Sequence, residues 1–463
     1  MEKISSAKTN TFFSYVIPSV LAFALSGVYT IVDGFFIGRS LGDIGLAAIS
    51  LGFPIAAFIQ AVGTGIGLAG GIHYTIFGAQ NDEKKQQNCF SGTAWLLLLL
   101  SVLLTAVFFF FAEPLLRLLG AKGEVLAMAA GYVRVIALGA VFQMLATGFV
   151  PFIRNMGGAT FAMVAMILGF VTNIIRDYAF VWVLPWGMAG AAWATIIGQA
   201  VTMLAVILFF VRRKRRIGAV PPSKLPPLWG DVLKVSLSPF GLTYSSTITL
   251  LLMNRFLVIY GNEQSVAIYS CISYITAIIY LLLQGVGDGC QPLISLYYGE
   301  GKEADVRQTR RTAYFAAFVV SAVCAAAVFL TRTKIGLLFG ASASANAGVG
   351  RYLPFFLATV LLLSFVRITT SYFYAAEKAV LSYLLVYAEP VCTLVFLLIL
   401  PLALKLNGVW AAIPAAQVCA FAIAFIAKYR TDYKAKATFT GYPHRSCPCC
   451  YRPCRRRRPE TAP

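Results

Sequence analysis

Charge is what this chain has least of. Only 12% of its 463 residues are Asp, Glu, Lys or Arg, about half the roughly 25% of an ordinary soluble domain, while 59% are hydrophobic. A water-soluble multidomain enzyme is all but excluded, because too few polar side chains are available to coat it. Histidine is almost missing, with only His73 and His444 in the chain. An intramembrane metal centre or acid–base enzyme would need a denser set of such groups at one depth, so a membrane-embedded enzyme is a remote alternative. Of the ten cysteines, Cys89, Cys271, Cys290, Cys324, Cys392 and Cys419 scatter through or beside apolar runs without a pairing pattern, as small apolar side chains do. Acidic residues are outnumbered, 18 against 38 basic, giving a net charge of +20. Such a balance can mark a nucleic-acid binder, but the basic residues lie between apolar runs and in the tail, so no nucleic acid is expected.

Apolar sequence is what the chain has in abundance. Runs long enough to cross a bilayer, about 20 residues each, recur at 12–37, 44–76, 90–115, 125–152, 158–184 and 187–211. A second set follows at 232–260, 265–297, 312–331, 349–375, 379–402 and 408–428. The expected fold class is an all-α integral membrane protein with about twelve transmembrane helices. Phe12–Gly38 is too long for a removable signal peptide and reads as the first span. With the N-terminus inside, the cytoplasmic loops hold Lys84, Lys85, Arg154, Arg212–Arg216, Lys224, Lys302, Arg307, Arg310, Arg311 and Lys378. The outer loops hold far fewer, so both termini are expected in the cytoplasm.

Val211–Asp231 differs from the rest, being basic and then rich in proline, with Pro221, Pro222, Pro226 and Pro227. It reads as a non-helical linker that divides the chain into a lobe at 1–211, a linker at 212–231, a second lobe at 232–430 and a tail at 431–463. The halves repeat. Pro18 is matched by Pro239 and Asp33 by Asn254 at one offset, 221 (239 − 18 and 254 − 33). Phe35 and Phe256, and Gly78 and Gly299, keep that offset, while Gly190 and Gly408, and Gln199 and Gln417, stand 218 apart (408 − 190 and 417 − 199). An even number of spans per half makes the repeat parallel, with its axis along the membrane normal.

Ionisable side chains inside spans are costly and default to functional candidates. The first half offers Asp33, Arg134, Arg176 and Asp177; the second offers Arg255, Asp288, Arg367 and Glu389. Asn173 precedes Asp177 by four residues and shares its helix face. Thr195 lies eight residues into the returning span, and Asp177 eight before Pro185, so both sit about 12 Å from that boundary at 1.5 Å per residue. Asp33, Asn173, Asp177 and Thr195 can thus converge as an oxygen-rich site for Na⁺ or protons, the alternative being that Asp177 pairs with Arg134 or Arg176. In the second half Asn254 replaces the first acid. There Asp288 and Glu389 are expected to be offset by Arg255 and Arg367, with Arg367–Glu389 a plausible pair; a substrate-contact role comes second, and Gln284 and Gln291 are candidates to line a cavity. Pro18 and Pro239 should kink their spans. The glycines at 63, 65, 67, 70 and 71 lack the strand and the Gly-Lys-Ser/Thr of a phosphate loop, and read as close helix packing. The tail, with His444, Cys447, Cys449, Cys450 and Cys454 before Arg455–Arg458, lacks zinc-site spacing and is expected to be disordered and basic.

Four segments carry a family resemblance: Val32–Gly38 (VDGFFIG), Asn173–Phe180 (NIIRDYAF) followed by Gly187–Gln199 (GMAGAAWATIIGQ), and Gln291–Lys302 (QPLISLYYGEGK). Together they resemble the multidrug and toxic compound extrusion (MATE) family, over about residues 8–430. The resemblance implies two six-helix lobes around a central cleft and export of amphipathic, cationic small molecules in exchange for H⁺ or Na⁺, with no other cofactor. In the DinF-like branch the coupling residues match Asp33, Asn173, Asp177 and Thr195, and the bending proline matches Pro18. The NorM-like branch uses acids in its seventh and tenth spans, where this chain has Ser245, Ser246, Thr247 and Arg367. A lipid-linked-oligosaccharide flippase of the same wider superfamily is the alternative, and Arg134, Arg255 and Arg367 keep it open. The expected setting is a bacterial plasma membrane, with the protein a monomer.

Overall fold

The computed structural model describes residues 2–184, 186–336 and 343–440. The first half comprises α1 (Glu2–Ala79), α2 (Glu83–Phe110), the short α3 (Ala112–Leu118), α4 (Gly123–Leu138), α5 (Ala140–Asn155), α6 (Ala159–Asp177) and α7 (Gly187–Arg212). The second comprises α8 (Leu225–Tyr260), α9 (Glu263–Gly299), α10 (Glu303–Thr331), α11 (Ala343–Ala375), α12 (Ala379–Leu404) and α13 (Leu406–Thr440). Residues 1–424 form one compact unit. Of the second, 425–463, the described part is the end of α13, where Lys428 and Asp432 pair at 3.6 Å one turn apart. The cysteine- and arginine-rich segment from 441 onward, His444 included, lies outside the described residues.

Local chemistry explains where the helices break. Within α1 the only non-helical backbone is at Gly42 (φ 59°, ψ −152°), a left-handed φ that glycine adopts without a Cβ penalty. The break separates two spans, Thr9–Asp33 and Ala47–Ala79. The helices α4 and α5 meet at 57°, and together they are long and apolar enough to make one broken span. Counting that pair once, the described residues hold twelve helical segments long and apolar enough to cross a membrane, six in each half of the chain, as in an all-α integral membrane protein. Pro18 and Pro239 stand inside α1 and α8, each within continuous helix. Asp82 caps α2 by accepting the Lys85 N–H at 2.9 Å, and that bond holds its carboxyl below the usual carboxylate range.

Two expected boundaries move. The linker is not non-helical through Asp231: a 3₁₀ turn at Pro222–Lys224 leads into α8 at Leu225, with Pro226 and Pro227 in its first turn. Proline is tolerated there because first-turn N–H groups have no intrahelical acceptor to lose. Likewise α13 continues to Thr440, past the expected start of the tail at 431.

Apolar side chains such as Leu103, Phe315 and Leu402 point outward, while small residues sit where helices touch. Without a hydrophobic driving force between helices in lipid, such close contact carries the packing. The glycine-rich stretch of α1 packs against α5 in this way, and Gly285 and Gly289 of α9 let the Val20 and Val16 backbone approach. Gly131 and Gly230 differ: both are helical, and nothing lies within 4 Å of where a Cβ would be. Gly131→Ala should therefore stabilise by about 0.5–1 kcal/mol by removing backbone freedom from the unfolded chain. The expected result is a rise of roughly 1–2 °C in the melting point of the detergent-solubilised protein; a fall would contradict it.

Candidate functional site

The first half gathers four of the sequence-selected residues in one place. Asp33 of α1 and Asp177 at the end of α6 bring their carboxyl groups within hydrogen-bonding reach of each other. Asp177 is completely buried. One turn earlier, Asn173 donates from Nδ2 to Thr195 Oγ1 at 3.5 Å, and Thr195 donates on to the Ala191 carbonyl at 3.1 Å. Two residues not singled out from sequence join them. The Tyr29 hydroxyl, one turn before Asp33, reaches Thr195, and the buried Tyr132 of α4 lies within electrostatic range of both carboxyls. The spacing Tyr29–Asp33 carried a signal, since i and i+4 share a face; nothing in the α4 sequence pointed to Tyr132. Directly after Asp177 the helix widens into a π-helical turn, Tyr178–Val183, a geometry common at functional sites.

The donors and acceptors of this cluster do not balance. Asp33 Oδ1, Asn173 Oδ1 and both Asp177 oxygens are buried with no hydrogen-bond partner. Neither candidate arginine compensates Asp177. Arg134 donates to Glu113 Oε1 at 2.8 Å, and Arg176 is exposed, its guanidinium over the Phe180 ring. Two ionised carboxylates so placed repel and lack donors, and a shared proton or a bound cation would satisfy both.

The second half departs from expectation. Asn254 is half-buried, with Oδ1 unpartnered, at the repeat position of Asp33. Arg367 and Glu389 form no ion pair among the described residues. Arg367 donates to the Leu242 carbonyl at 3.4 Å and lies over the Tyr280 ring at 5.4 Å. Glu389 instead accepts from Gln417 Nε2 at 3.3 Å, and Gln417 also bonds the Tyr280 hydroxyl. Tyr280 and Gln417 thus separate the two charges. Arg255 is exposed and offsets neither acid, because one residue past Asn254 it points about 100° around α8.

Asp288 finds its cation in the other half. Its Oδ2 lies 3.6 Å from an Arg154 guanidinium nitrogen, while Oδ1 accepts from Gln284 Nε2 at 2.9 Å and the Tyr374 hydroxyl at 3.2 Å. Arg154 was expected in a cytoplasmic loop. It occupies the last turn of α5 instead, is 3% exposed, and points inward. Both glutamines are engaged by neighbours: the half-buried Gln284 donates to Asp288, and the fully buried Gln291 exchanges hydrogen bonds with Asn155 at 3.0 and 3.2 Å and donates to Ser295 at 2.9 Å. His73 Nδ1 and Glu377 Oε1, 2.8 Å apart, add a third polar contact between the halves.

The family model described as MatE matches the chain twice, over residues 18–179 and 239–399. The chain belongs to the MatE family. The matches begin at Pro18 and Pro239, so the family's unit is the half, repeated at the offset read from the sequence, 221 (239 − 18). This MatE protein is 30% identical over 370 residues to the multidrug export protein MepA of Staphylococcus saprophyticus, covering 78% of this chain and 80% of that one. To MepA of Staphylococcus haemolyticus it is 25% identical over 430 residues, covering 92% and 94%. Among solved structures it resembles the outward-facing conformation of a multidrug resistance MATE family transporter of the MOP superfamily. That match has a TM-score of 0.85 and 24% identity, and covers 93% of this chain and 97% of that one. A MATE structure in the bent conformation matches with a TM-score of 0.83 and 24% identity over the same shares. This MatE chain is a multi-pass membrane transporter and not an enzyme.

Proposed function

We propose that this MatE transporter is a secondary multidrug antiporter of the bacterial plasma membrane. It exports amphipathic, cationic small molecules in exchange for H⁺ or Na⁺ taken up at Asp33, Asn173, Asp177 and Thr195. The observation that carries this reading is the facing carboxyl pair with its three unpartnered buried oxygens, joined by a fourth on Asn173, a site that is incomplete without a positive charge. The oxygen-only ligand set suits Na⁺ and the paired carboxyls suit a proton. Coupling requires the ion to prefer the conformation from which substrate has left, because equal affinity for both would shift nothing.

The substrate class is supported by the named relatives, which are multidrug export proteins, and by the aromatic surface between the halves. The Phe58 ring of α1 meets Phe240 and Tyr244 of α8 at 5.5 and 5.6 Å. Such faces attract flat organic cations. The flippase reading loses support, because Arg134 is engaged by Glu113 and Arg255 is exposed, which leaves Arg367 as the one buried cation of the three arginines that would receive a pyrophosphate. On this reading the protein acts as a monomer, with both termini on the cytoplasmic side.

The test is ethidium movement in proteoliposomes under an imposed pH gradient and, separately, an imposed Na⁺ gradient. One of the two gradients should drive movement against the ethidium gradient. Failure of both would overturn the antiport reading.

A further inference from the structure

The contacts of Arg154 and Asp288 divide cleanly between the halves. Asp288 takes both of its hydrogen bonds from its own half, through Gln284 of α9 and Tyr374 of α11, and both go to Oδ1. Arg154 holds its other contacts in its own half, with a guanidinium nitrogen 3.4 Å from Met166 Sδ and the group 5.4 Å from the centre of the Phe23 ring. Only Oδ2 of Asp288 meets Arg154. The two residues are therefore each held in place independently, and joined by a single contact across the interface.

The flanking cross-half contacts behave differently on separation. Asn155 and Gln291 are neutral amides that water can satisfy, and His73 with Glu377 lies at the more exposed rim, Glu377 being 35% exposed in its side chain. The Arg154–Asp288 side chains are 4% and 3% exposed. Parting a buried ion pair leaves each charge uncompensated, which is strongly unfavourable unless another ion takes the vacated place. Alternating access requires the halves to part at this end of the helices. When they do, Asp288 remains oriented by Gln284 and Tyr374 with its Oδ2 free.

We propose that Asp288 Oδ2 is a cation-accepting site filled in turn by Arg154, when this end is closed, and by the positive group of the substrate, when it is open. Arg154 is then a built-in competitor: on closure it returns to Asp288 and expels the bound cation toward the other side. The inference rests on the cationic-substrate part of the proposed function and not on the identity of the coupling ion. It takes an organic monocation, such as a quaternary ammonium or an aromatic iminium, as the occupant.

Two readings on the full-length protein in lipid nanodiscs, without any gradient, test the exchange. The first is ethidium binding by fluorescence. Arg154→Gln should tighten it about tenfold by removing the competitor, Asp288→Asn should weaken it at least about tenfold, and the double variant should stay weak. The second is alkylation of Cys290, followed by peptide-resolved mass spectrometry. Cys290 lies two residues from Asp288 and is completely buried, so it reports opening of the closed end. Saturating ethidium should speed its alkylation severalfold in the unaltered protein, a measurement that needs no variant to fold. Arg154→Gln binding ethidium as poorly as Asp288→Asn, or ethidium leaving Cys290 alkylation unchanged, overturns the exchange. Absence of ethidium binding by the unaltered protein overturns the cationic substrate class and the exchange with it. A failure of ion coupling alone would appear only in gradient-driven transport and leave both readings intact.

Discussion

Asp177→Asn is expected to reduce gradient-driven ethidium transport in everted vesicles on the order of 100-fold or more, to background, while the protein still folds and inserts. The side chain is completely buried, and both of its oxygens lack a donor. An amide in the same place keeps one acceptor and adds an N–H donor aimed at the Asp33 carboxyl, so the local polar imbalance falls instead of rising. Stability should hold or increase by about 1 kcal/mol, because a buried group without a partner has been given one. The site nevertheless loses the charge that makes ion binding differ between conformations, and without differential affinity the gradient does no work on the equilibrium. Asp33→Asn should give the same loss through the other member of the pair. Loss of transport together with an unchanged or raised melting point separates coupling from folding. Undiminished transport in both variants would remove the site.

Much of this was legible in one sequence because membranes enforce strong rules. Each crossing must satisfy its backbone internally, so apolar runs give the helices, and the offset between Pro18 and Pro239 gives the repeat. The Asp33, Asn173, Asp177 and Thr195 grouping was legible because helical periodicity and depth from a shared boundary fix two coordinates per residue. What was illegible depends on the third, the rotation of one helix against another. Arg367 and Glu389 sit on adjacent spans, but Tyr280 and Gln417 stand between them. Arg154 lies where a span ends, and a shift of a few residues there decides between a solvated loop cation and a buried one. Its partner is on the opposite half, 134 positions on (288 − 154), a pairing that no local pattern encodes. Glu377 and Asn155 were missed for the same reason, since their partners are His73 and Gln291 across the interface.

Gly67→Ala should cost the transporter more stability than any change made at its ion site. A Cβ on Gly67 would fall well inside the contact distance of the Gly148 carbonyl oxygen, and the nearest atoms are all backbone. No rotamer change can relieve that overlap, so α1 and α5 would have to separate along their whole contact. Gly148 itself has no room to yield, because a Cβ there would meet a Leu97 methyl at 2.7 Å. Overpacking of this kind costs about 1–3 kcal/mol where side chains can adjust, and more where only backbone is in the way. A fall of roughly 5–10 °C in melting point is expected for Gly67→Ala, and no folded protein for Gly67→Leu. Gly131→Ala, in open space, is the control with the opposite sign. A Gly67→Ala variant melting with the unaltered protein would show that α1 and α5 are not locked. The lock matters for transport because α5 ends in Arg154 and Asn155, and the second span of α1 carries His73 and Thr75. Thr75 donates to Asn155 at 2.6 Å, so these residues meet Asp288, Gln291 and Glu377 as one rigid edge. With α1 and α5 fixed backbone to backbone, these three contacts must open or close together, which is what an alternating mechanism demands of a gate.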